Sequence, residues 1–79
     1  MARFSDLLRE LARSERDVAE GRARIVRQAE LVRELDADGH DTTFSAARLL
    51  VMIANLNQME RRRQQIVREL SGSKGELAA

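Results

Sequence analysis

The sequence predicts an all-α protein, an antiparallel two-helix hairpin of coiled-coil character that dimerises into a four-helix bundle. Three observations predict it. Apolar residues recur every seven positions from Phe4 to Val32, a glycine- and aspartate-bearing break follows at 36–43, and a second apolar repeat matches the first when the chain folds back on itself.

The first helix is expected over about 4–37. Phe4, Leu11, Val18, Ile25 and Val32 hold one heptad position without interruption. The companion position, three residues on, holds Leu7, Ser14, Gly21, Gln28 and Leu35, apolar at the ends and small or polar in the middle. Leu8, Ala12, Ala19, Val26, Ala29 and Leu31 widen the stripe beyond a two-strand seam, as in a helix with more than one neighbour.

The turn is expected at 38–41. Gly39 is suited to the left-handed conformation that ends a helix, and Asp41 or Thr42 to accepting hydrogen bonds from the free amides that begin the next. A connection this short makes the two helices antiparallel neighbours.

The second helix is expected over about 42–70, with Ser71-Gly72-Ser73 as its stop and residues 73–79 as a frayed tail outside a single domain at 1–72. Its seam is Ser45, Leu49, Met52, Leu56, Met59, Arg63, Ile66 and Leu70. Folding about Gly39 and His40 sets Leu11 opposite Leu70, Val18 opposite Arg63, Ile25 opposite Leu56 and Val32 opposite Leu49. Gly21 then lies near Met59 and Ser14 near Ile66, a large side chain over each gap, in a rod on the order of 45 Å long at about 1.5 Å per residue.

The first half of the second helix is apolar well beyond that seam. Phe44, Ala47, Leu50, Val51, Ile53 and Ala54 lie off it, and one hairpin partner covers only one side of a helix. These six are the expected interface, with a homodimer as the closed two-fold solution and a separate protein partner as the alternative.

Composition narrows the function classes. The 79 residues carry 34% charged and 43% hydrophobic side chains, no proline, no cysteine and two phenylalanines as the only aromatics. That is the composition of a bundle near the lower size limit for a stable single chain. Disulfides are excluded, and a structural metal is disfavoured with one histidine and no thiolate. The formal net charge of +1 provides no global field for nucleic acid or an anionic membrane. No apolar run has the length of a membrane span or signal peptide, so a cytoplasmic location and no membrane association are expected.

Two clusters compete with purely structural readings. His40, beside Asp38 and Asp41, supplies ligand chemistry for a metal only if symmetry brings two turns together; the simpler reading is a packed or locally bonded turn residue. Arg61, Arg62, Arg63 and Arg68 form the one local basic run and suit phosphate contacts, against a simpler reading as a solvated helix face. Arg63 also falls on the seam, where its head group can reach Glu15 or Asp17. Amides at Asn55, Asn57, Gln58, Gln64 and Gln65, and Gln28 on the seam, suit the fixing of register. No nucleophile, base and acid fall at a catalytic spacing and no glycine-rich loop opens a helix, so neither an enzyme nor a cofactor is expected.

The stretch from Leu31 to Thr42, with its Gly-His-Asp-Thr turn, followed by Ala46-Ala47 and Leu49-Leu50, resembles a pattern in short uncharacterised bacterial helical-hairpin proteins. The resemblance covers the middle third of the chain. It implies the hairpin, carries no activity, and admits a role for His40 and Asp41 beyond the turn. The function expected is therefore a small regulator or adaptor working through protein–protein contacts, with a nucleic-acid-binding dimer as the alternative.

Overall fold

The computed structural model describes the backbone of residues 3–78 and the side chains of residues 3–72. Helix α1 spans Phe4–Ala37 and helix α2 spans Thr43–Ala78, packed antiparallel in a rod of 63 × 15 × 15 Å. The fold is all-α, a helical hairpin. Among the described residues no helix is long and apolar enough to cross a membrane.

The side chains of α1 turned towards α2 follow the seven-residue repeat. Leu7, Ser14 and Val18 are buried, and Leu11, Gly21, Ile25, Gln28, Val32 and Leu35 are half-buried. On α2 the same holds for Ser45, Leu49, Met52, Leu56, Arg63, Ile66 and Leu70, with Ile66 the most deeply buried at 1% exposure. Phe4 departs from the pattern. It opens α1 at the end of the rod and stays exposed.

α2 does not stop at Ser71-Gly72-Ser73. It runs on to Ala78, and Gly39 is the only described glycine with positive φ, so Gly72 keeps a helical backbone. One glycine costs a helix only about 1 kcal/mol against alanine, too little to end one of this length. The rod is accordingly longer than the sequence suggested. The side chains of the expected tail lie outside the described residues.

The register also differs from the expected one. Arg62 Nη2 pairs with Glu10 Oε2 at 3.3 Å, and Arg22 Nη2 with Glu60 Oε1 at 2.9 Å. Glu10 and Arg62 each precede a seam residue, Leu11 and Arg63, whereas Arg22 and Glu60 each follow one by four, Val18 and Leu56. The two pairs therefore flank the seam on opposite sides, and satisfying both sets Leu56 over Gly21 instead of over Ile25. A Cβ placed on Gly21 would lie 3.2 Å from Leu56 Cδ1 and 3.6 Å from Met59 Sδ. A heptad pattern fits almost equally well after a slip of one turn, so apolar spacing alone does not choose between the two registers. The close fit at Gly21 and the flanking ion pairs do.

Gln28 adds a polar tie inside the seam, its Nε2 donating to the Ser45 carbonyl at 2.9 Å. Arg63 stays on the seam, yet no carboxylate of the described residues lies within 4.0 Å of it, so the expected pair with Glu15 or Asp17 does not form.

Candidate interaction surface

The turn is built from its own backbone. Asp38 N donates to Glu34 O at 3.0 Å, Gly39 N to Asp36 O at 3.1 Å and His40 N to Leu35 O at 2.9 Å. Gly39, at φ 76°, supplies the left-handed residue that closes this crossed pattern of bonds. On the far side Asp41 Oδ1 accepts from Thr43 N at 2.9 Å and from Thr43 Oγ1 at 2.7 Å, and the Thr42 carbonyl accepts from Ala46 N at 2.8 Å. The two bonds from Thr43, side chain first and backbone second, hold the Asp41 carboxyl below its ordinary value of 3.8. His40 is exposed. Among the described residues no group of three or more His, Cys, Asp or Glu side chains is gathered to hold a metal ion.

Beyond the turn, the outer face of α2 is apolar for three turns. Phe44, Ala47, Val51 and Ala54 follow one another at three- and four-residue steps along a single line, with Leu50 and Ile53 beside it. All six are exposed: Phe44 keeps 83% of its surface, Leu50 68% and Val51 59%. In the same half of the rod Val26 and Leu31 of α1 are exposed as well. The apolar spacing placed them beside the seam, but only the packing shows that α2 leaves them uncovered.

The arginine run is not a single patch. Successive helical residues point about 100° apart, so Arg61, Arg62 and Arg63 face three directions. Arg62 is engaged with Glu10, Arg63 is half-buried on the seam, and Arg61 and Arg68, seven residues apart, share the outer face. No carboxylate of the described residues lies within 4.0 Å of Arg61 or Arg68.

A groove of about 530 Å³, which the sequence did not reveal, opens over Ser14 where Met59 and Ile66 meet α1. Glu10, Asp17, Asn55, Gln58 and Arg62 rim it. It exists because Ser14 is too small to fill the space between neighbouring side chains.

Comparison of the chain with protein-family models, with curated proteins and with solved structures finds no match.

Proposed function

We propose that this hairpin is a non-enzymatic protein of the cytoplasm that self-associates through the outer face of the first half of α2 and acts through protein–protein contacts, as a small regulator or adaptor. The observation that carries the reading is the exposure of Phe44, Leu50 and Val51 on one face of a helix whose other face is already packed. Soluble monomers rarely leave contiguous apolar surface of this kind in water. A second hairpin covers it with closed two-fold symmetry and makes a four-helix bundle.

Sedimentation equilibrium across the micromolar range tests the proposal. A two-hairpin species is expected, converting to monomer on dilution, and Leu50→Glu is expected to shift that conversion to at least about tenfold higher concentration, since burying an unpaired carboxylate costs more than about 1.4 kcal/mol. A stable, folded monomer throughout would overturn it. The competing reading, a nucleic-acid-binding dimer, loses support from the splitting of the arginine run over three sides of α2. Titration with DNA and RNA at low salt is its test, and absence of binding there disposes of it.

A further inference from the structure

Resting on self-association through this face, we infer that the two hairpins dock in opposite directions, the turn of each lying against the arginine-bearing stretch of the other's α2. The apolar stripe ends at Ala54. Beyond Ala54 the same line of α2 continues as Gln58, Arg61, Gln65 and Arg68. If the turns lay at the same end, two-fold symmetry would set every residue of this line against its own copy. Arg61 would meet Arg61 and Arg68 would meet Arg68, neither with a carboxylate of the described residues within 4.0 Å. Like charges closed into an interface oppose it.

Docking in opposite directions matches apolar to apolar and acid to base. With Phe44 facing Ala54 and Ala47 facing Val51 across the interface, the two-fold axis crosses α2 at the level of Leu49. Arg61 lies about 18 Å from that level at ~1.5 Å per residue, and the start of α2 about 10 Å from it in the other direction, with the turn beyond. The turn of one hairpin therefore falls alongside Gln58 and Arg61 of the other.

The charges there are complementary. Residues 34–41 hold Glu34, Asp36, Asp38 and Asp41 and no lysine or arginine, while residues 61–68 hold Arg61, Arg62, Arg63 and Arg68 and no acid. Asp36, Asp38 and Asp41 are exposed and make no ion pair among the described residues. Symmetry uses each match twice. The arrangement also explains why the apolar face is only three turns long: it spans the overlap, and the charged stretches flank it.

The chain has no cysteine, so a single Ala37→Cys carries one spin label per protomer at the turn. Ala37 closes α1 just beyond the level where α2 begins, about 13 Å from the axis level, so electron–electron distance measurement on the labelled dimer is expected to give a separation of about 27 Å along the rod. A separation under about 20 Å would overturn the opposed docking and leave self-association standing. A chain that stays monomeric at every concentration would overturn both. Charge reversal supplies an independent measurement. Arg61→Glu is expected to weaken dimerisation about tenfold, and combining it with Asp38→Arg to restore most of the loss, because each reversed group then meets a reversed partner. Failure of the second substitution to restore any of the loss would overturn the charge matching.

Discussion

The two halves of the rod differ in a direction that composition does not suggest. Away from the turn, where α2 carries its arginine run, lie Leu7, Ser14, Val18 and Ile66, the described residues that are buried. Next to the turn α2 is apolar almost all round, yet no described residue there is buried to the same degree, and Ile25, Val32, Leu49, Met52 and Leu56 remain half-exposed. Burial is set by neighbours, and a helix with one neighbour covers one stripe. Gly21 lets α2 approach closely at the middle of the rod, where an added Cβ would lie 3.2 Å from Leu56 Cδ1. In the turn half the apolar surface exceeds what a single opposing helix can cover.

Ile66→Ala is expected to lower the unfolding free energy by about 2–5 kcal/mol, measured by urea titration followed by circular dichroism. Val51→Ala, in protein dilute enough to be monomeric, is expected to cost well under half as much. Equal losses would mean that the two halves are equally packed. A side chain at Gly21 would meet Leu56 Cδ1, 3.2 Å from an added Cβ. Gly21→Val is expected to cost about 1–3 kcal/mol by overpacking and loss of helix propensity, read from the same titration; no change would show that the helices are not in close contact at this point.

A smaller effect is expected at the turn. Gly39→Ala forces a Cβ into a left-handed backbone and is expected to cost about 1–2 kcal/mol, lowering the melting temperature without changing the helix content of the folded state. The smallest is the pH response of Asp41. Its folded carboxyl titrates below its unfolded value, so its contribution is fully present above about pH 4 and is lost as pH falls through the lowered folded value. Asp41→Asn is expected to flatten that acid limb of the melting-temperature profile, and an unaltered limb would show that the bonds from Thr43 do not stabilise the helix start.

Much of the fold was legible because a seven-residue repeat is both a sequence pattern and a geometric one. The side chains at Leu7, Leu11, Val18, Ile25 and Val32 face the partner helix because residues at 3.5-residue spacing stay on one side of a helix. The register was not fully legible, since slipping by a turn brings another apolar residue to nearly the same place; Met59 lies near Gly21 as expected, and the choice lies in how Leu56 fits over Gly21 and in two flanking ion pairs. The end of α2 was misread because Ser71-Gly72-Ser73 is a weak preference set against continued helix. Of the surface, the stripe from Phe44 to Ala54 could be seen in the sequence as surplus apolar residues, whereas the groove over Ser14 depends on side chains from two helices meeting around a gap.

The self-contained turn has a consequence for the order in which the molecule assembles. Gly39 and Asp41 bond only within the turn and its flanking helical residues, so the connection needs no contact from the far end of the rod to close. Contacts beside it, such as Gln28 to Ser45, close short loops, while those around Leu7 and Ile66 close the longest loop in the chain and carry the larger entropic cost. The hairpin is therefore expected to zip from the turn outwards. In that order the half that ends up least covered would form first, and the deeply buried half would join last and open first. In stopped-flow experiments Ile66→Ala would then accelerate unfolding and leave the folding rate nearly unchanged.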